Sequence, residues 1–134
     1  MRVYWDTSAV LKLYAPESDS NRYISLIAQK EIPLYGSVLL KIELYHALFQ
    51  KERRAEIKIG SAKPLYDKFL TDLQNDLFCL IPFGADIEIK SRDILSTCYQ
   101  SADSVFIRSL DGIHLATALV AKCQSIVTTD KRML

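Results

Sequence analysis

The feature that most narrows the fold is an alternation of short apolar runs with longer segments of helical period. Four runs have strand length: Arg2–Trp5, Pro33–Gly36, Phe78–Phe83 and Ser125–Thr129. They are rich in β-branched, aromatic or long apolar residues, as short buried strands require. Between them, apolar residues recur three and four apart, as in Val10, Leu13 and Tyr14, or Tyr66, Phe69, Leu70, Leu73 and Leu77. Strands that alternate with helices predict an α/β fold with a parallel sheet and right-handed crossovers.

Turn signals place the joints. Pro16–Ser20 precedes a helix with Tyr23, Ile24 and Ile27 on one face. Ser37 is expected to cap an apolar helix reaching about Gln50, which Lys51-Glu52-Arg53-Arg54 ends or extends; Gly60-Ser61 breaks the pattern. Phe78–Phe83 is continuously apolar, short enough for a strand buried on both faces. Gly84 turns the chain, and Asp86 opens a helix with Ile87, Ile94, Leu95 and Cys98 inward. Residues 101–106 read as a loop and Leu110–Lys122 as the last helix.

A chain of 134 residues with no linker or repeat is expected to be one domain, 1–134. Its net charge of +1 gives no long-range attraction for a polyanion, so such a partner must meet a local basic patch. Residues 38–49 are the most apolar, but Lys41, Glu43 and His46 interrupt them, which excludes a spanning segment. Neither a signal peptide nor a paired-cysteine motif is visible. Cys79, Cys98 and Cys123 are expected to be buried thiols in a reducing, cytoplasmic setting.

Two strands run into carboxylates. Asp6 follows the first and is flanked by Thr7 and Ser8; Asp130 follows the fourth, behind Thr128 and Thr129. If those strands are neighbours where the strand order reverses, both acids face one crevice. The plainer reading makes Asp6 a helix cap, and Asp130 a helix cap or a surface acid. Glu43 lies in an apolar helical stripe with Leu39, Leu40 and Ala47, and a buried carboxylate needs a partner or a proton. His46 is its one local candidate partner. Asp111 is followed by Leu115 and Ala118 on its face; the plainer reading makes it the cap of the last helix. Carboxylates about 4 Å apart repel by roughly 4 kcal/mol at an effective dielectric near 20. A cluster of them therefore takes up protons or a hard cation, and oxygen-only ligands favour Mg²⁺ or Mn²⁺.

Four segments together resemble the PIN domain, in particular the VapC-like toxin ribonucleases of toxin–antitoxin pairs. They are Val3–Ala9, Glu43–Leu48, Leu110–Ala118 and Val127–Arg132, in family order and spanning nearly the whole chain. The resemblance implies a three-layer α/β/α sandwich and metal-dependent RNA endonuclease activity. It places Asp6, Glu43, Asp111 and Asp130 around Mg²⁺ or Mn²⁺, with Asp6 and Asp111 the most direct ligands. Thr7, Ser8 or Thr128 would orient a carboxylate or water, and His114 would pack against or support the site. A homodimer and a cognate antitoxin are also implied. The family usually continues past the last Asp with a helix and an edge strand, which are expected to be missing here.

RNA would be met by Lys12, Lys41, Arg108, Lys131 and Arg132 near the crevice. Lys51, Arg53, Arg54 and Lys58 form a helical charge run that reads first as a solvated face. A receiver domain would want its acceptor Asp at the end of the third strand, where Ile81-Pro82-Phe83 stands. A dehalogenase-type phosphatase would want a second Asp at position 8, which is Ser8. The stronger alternative is a PIN fold that binds RNA or protein without catalysis.

Overall fold

Strands form at all four apolar runs: β1 (Val3–Trp5), β2 (Leu34–Ser37), β3 (Phe78–Ile81) and β4 (Ser125–Val127). The helices are α1 (Thr7–Tyr14), α2 (Ser20–Gln29), α3 (Leu40–Arg53), α4 (Ala62–Gln74), α5 (Ala85–Gln100) and α6 (Ser109–Val120). The computed structural model describes residues 2–15, 17–29, 32–100 and 108–129.

The sheet is wholly parallel, in the order β3-β2-β1-β4, and Tyr4 stands opposite both Tyr35 of β2 and Ile126 of β4. The chain steps one way from β1 to β3, then returns to set β4 on the far side of β1. Crossovers of one hand that step in opposite directions put their helices on opposite faces. Accordingly α1, α2, α3 and α4 pack among themselves, while α5 packs on α6, which lies against β2. The fold is a three-layer α/β/α sandwich whose strand order reverses between β1 and β4.

Alternation along β1 divides its side chains between the layers. Val3 and Trp5 join Val10, Tyr14, Leu34, Leu44, Leu48 and Phe69 in the core under α1–α4. The Phe69 ring meets Tyr14, Tyr66 and Phe78 with centroids 5.7, 5.7 and 5.3 Å away. Tyr4 points the other way, to α6.

Several local expectations fail for identifiable reasons. Ser37 does not cap α3; it closes β2, and its Oγ accepts the Leu39 N–H at 3.1 Å. The next N–H, from Val38, continues the ladder to Ile81 O at 3.0 Å, so the helix starts only at Leu40. β3 is not buried on both faces, because it is an edge strand; Phe78 is buried, but Pro82 and Phe83 lie beyond the strand and exposed. Ile24 and Leu70 face outward. The three cysteines are free but only half-buried. The run Lys51–Arg53 extends α3, and Arg54 caps it. No strand follows β4 among the described residues. None of the described helices is long and apolar enough to cross a membrane.

Candidate active site

Asp6 is the single residue between the end of β1 and the start of α1. Its N–H donates to Val127 O at 3.2 Å, continuing the pairing of β1 with β4. Its buried carboxylate does cap α1: Oδ1 accepts the Ala9 N–H at 3.1 Å and the Ser8 hydroxyl at 2.6 Å. Oδ2 accepts the Thr128 hydroxyl from beyond β4. Ser8 Oγ in turn accepts the Thr129 N–H at 3.1 Å. The hydroxyls that flank the acids in sequence thus tie the ends of two strands together through Asp6.

Glu43, on α3, has a different partner from the one its helix offers. His46 is exposed. Glu43 Oε1 instead accepts the Thr7 hydroxyl at 2.9 Å and lies 2.9 Å from Nε2 of His114, a buried residue of α6. Burial acts to raise the Glu43 carboxyl, but the hydrogen bond and charge of His114 and the Thr7 bond outweigh it and hold the group below the ordinary glutamate range. On the other side of the imidazole, Nδ1 is 2.5 Å from the Tyr4 hydroxyl.

Asp111 sits in the first turn of α6, which begins at Ser109, two residues ahead of the acid. Its Oδ2 accepts the Arg108 N–H at 3.1 Å and lies 3.5 Å from Arg108 Nε. It is buried at 5% exposure and is not itself the N-cap, which is Arg108; from the third position of the helix its carboxylate accepts the N-cap N–H and also faces the site. A carboxylate there also lies in the favourable field of the helix N-terminus.

Asp6, Glu43 and Asp111 line one cleft of about 710 Å³ with Thr7, Ser8, Arg108 and His114. Leu11, His46, Ala47 and Gln50 complete its wall on the side of α1 and α3. A neighbouring hollow of about 660 Å³ shares His46 and Gln50 and runs along α3 past Phe49 and Arg53. Asp130, Lys131 and Arg132 lie outside the described residues. Of the expected cations, Arg108 is at the cleft. Lys12 is turned to Glu17 and Asp19, and Lys51 to Glu17 and Glu56. Lys41 is exposed and not among the lining residues, as are Arg54 and Lys58.

Among the described residues, no three Asp, Glu, His or Cys side chains are gathered closely enough to form a metal cage. Each carboxylate is held by its own donors. The donor set nonetheless suits a hard cation. Three carboxylates reach the cleft, and the one buried imidazole there is committed to Glu43, leaving oxygen ligands.

Tyr4 was not legible as part of the site, because as a sequence feature it is one more aromatic in a strand. Only the sheet register brings it under His114, 110 positions away.

A family model described as the PIN domain matches residues 3–134. This chain belongs to the PIN-domain family. Solved structures agree on the PIN fold. VapC20 of Mycobacterium tuberculosis, a sarcin–ricin-loop-cleaving toxin, matches with a TM-score of 0.67 and 17% identity, over 96% of this chain and 90% of its own. A toxin–antitoxin complex from Klebsiella pneumoniae matches with a TM-score of 0.65 and 16% identity, over 97% and 88%. VapBC2 of Rickettsia felis, bound to a DNA fragment from its promoter, gives 0.64 and 16%, over 96% and 88%. At such identities the likeness is one of fold. No curated protein matches the chain.

Proposed function

We propose that residues 1–134 form a single metal-dependent endoribonuclease domain, the toxin of a toxin–antitoxin pair, which hydrolyses RNA phosphodiester bonds in the cytoplasm. One observation carries this reading. Three acids from three separate elements, Asp6, Glu43 and Asp111, open onto one cleft at the carboxyl end of β1, in a chain of the PIN family. Asp6 and Asp111 would hold Mg²⁺ or Mn²⁺ most directly, with Glu43 and Asp130 completing the set. Such an ion, when bound, activates water for attack on phosphorus and offsets the charge that develops on the phosphoryl oxygens.

The chain's own groups orient that chemistry. Ser8 and Thr128 fix the two oxygens of Asp6, and Thr7 restrains Glu43. Arg108, exposed at the rim, would meet a substrate phosphate beside Asp111, and Lys131 and Arg132 would extend that contact. A cognate antitoxin and a second copy of the chain are the proposed partners, the former supported by the toxin–antitoxin complexes that share the fold.

The deciding experiment incubates a labelled structured RNA pool with the protein and Mg²⁺, Mn²⁺ or EDTA, with Asp6→Asn alongside. Cleavage that requires both the metal and Asp6 is expected. Folded protein that cleaves nothing with either metal would replace this reading with the binding module.

A further inference from the structure

The three acids sit on three different elements: Asp6 at the end of β1, Glu43 on α3 and Asp111 on α6. Their elements belong to the sheet and to both helical layers, so nothing in the local sequence fixes one acid relative to another. One buried chain of hydrogen bonds does join the elements that carry them, from β1 through α6 to Glu43 on α3. Tyr4 stands on β1 two residues before Asp6, and His114 stands on α6 one turn after Asp111. The Tyr4 hydroxyl is 2.5 Å from His114 Nδ1, and His114 Nε2 is 2.9 Å from Glu43 Oε1. Both residues are buried, Tyr4 completely and His114 at 4% exposure, and their rings meet edge-on with centroids 5.8 Å apart.

With the imidazole neutral, the protons in this chain have one consistent arrangement. An ionised Glu43 only accepts, so His114 Nε2 carries a hydrogen and donates it. A phenol ordinarily titrates near 10, so at neutral pH the Tyr4 hydroxyl keeps its proton. That proton points to Nδ1, which accepts. The Thr7 hydroxyl also lands on Glu43 Oε1, at 2.9 Å. Both donors therefore engage one oxygen and leave Oε2 clear of either.

We infer that Tyr4 and His114 are positioning residues: a buried relay, Tyr4 Oη–H to Nδ1 and Nε2–H to Glu43 Oε1, sets the roll of the Glu43 carboxylate and thereby the affinity of the cleft for a divalent cation. The relay itself is independent of the nuclease reading; its consequence for the cation rests on that reading. Partners that orient a metal-binding group from behind typically change metal affinity about 10- to 100-fold when removed.

The test uses the whole chain and two substitutions at one position. In His114→Gln the amide N–H takes the place of Nε2–H and still reaches Glu43. In His114→Asn the shorter amide reaches Tyr4 but not Glu43. Mn²⁺ affinity, read from the EPR signal of free Mn²⁺, should fall about 10- to 100-fold in His114→Asn and recover most of its wild-type value in His114→Gln. A purely packing role would not separate Gln from Asn in that order.

An independent arm needs no metal. Long-range ¹H–¹⁵N spectra of the metal-free protein at neutral pH, with His46→Gln to assign the signals, should show His114 with hydrogen on Nε2 and a bare Nδ1. Hydrogen on Nδ1 and a bare Nε2 would overturn the relay, as would folded Asn and Gln variants that both bind Mn²⁺ like wild type. Wild type that takes up no Mn²⁺ would instead overturn the cation consequence together with the nuclease reading, whatever the spectra show.

Discussion

Glu17 shows how a single side chain removes cations from the surface that sequence makes available to RNA. It accepts hydrogen bonds from Lys12 and Lys51, binding the turn between α1 and α2 to α3. Those bonds outweigh burial and hold its carboxyl below the ordinary glutamate range. A folded-state pKa depressed in this way contributes stability that is fully present above the unfolded value, near 4.3, and is lost as pH falls through the folded one. Glu17→Gln should therefore lower Tm slightly at neutral pH, by no more than about 1 kcal/mol for so exposed a network. Thermal melts of the two proteins should converge in acid below the glutamate range. Asp111 makes a complementary point at the same scale. Accepting the N-cap N–H of α6 and facing the cleft fall to one carboxylate, because a helix N-terminus and a cation site both favour a negative charge.

At the scale of elements, the packing of α6 on α5 decides where Asp111 and His114 stand. Gly112 makes that packing close: a Cβ on it would come within 3.1 Å of Leu95 Cγ and 3.2 Å of Leu95 Cδ2. Alanine gains about 0.8–1 kcal/mol of helix propensity over glycine. That gain offsets the few tenths of an ångström by which Leu95 must yield, so Gly112→Ala should stay within about 1 kcal/mol of wild type in urea titrations. Gly112→Val exceeds what Leu95 can absorb. It should cost about 1–3 kcal/mol and, by displacing the first turn of α6, weaken Mn²⁺ binding. The edge position of β3 is an element-scale lesson as well. The apolar run Phe78–Phe83 suggests burial on both faces, yet β3 takes only Phe78–Ile81 of it and stands at the edge of the sheet among the described residues, with only Phe78 buried.

At the scale of the whole molecule, folding and cation binding are linked. The cleft exists only when β1, α3 and α6 are assembled, so a cation bound there stabilises the folded state alone. Mn²⁺ at about 100 times its Kd should add about 2.7 kcal/mol, visible as a rise in Tm that EDTA reverses. Asp6→Asn should abolish that rise while still capping α1, since asparagine is as good a cap as aspartate. Equal Tm shifts in the two proteins would place Mn²⁺ elsewhere.

The sequence by itself determined the α/β alternation, the parallel sheet and the place of Asp6 at a strand end, because strand and helix periods and a strand-to-helix hand-over are local properties. It also marked out Asp6, Glu43 and Asp111 and the hydroxyls beside Asp6, through the order of four short segments that resemble one family. Strand order, by contrast, is a matter of which distant elements pair. Only the tertiary structure decided that β1 lies beside β4, so that Thr128 reaches Asp6 across the sheet. The same holds for Glu43. Its helix offers His46, three residues on, but burial of one helical face against the sheet turns His46 to solvent and carries His114 in from the opposite layer. Tyr4 takes its role the same way, since the pleat of β1 sends it to the face of α6 while Val3 and Trp5 enter the core. Contacts within one turn or one strand are written in the neighbouring residues; contacts between layers depend on how those elements pack.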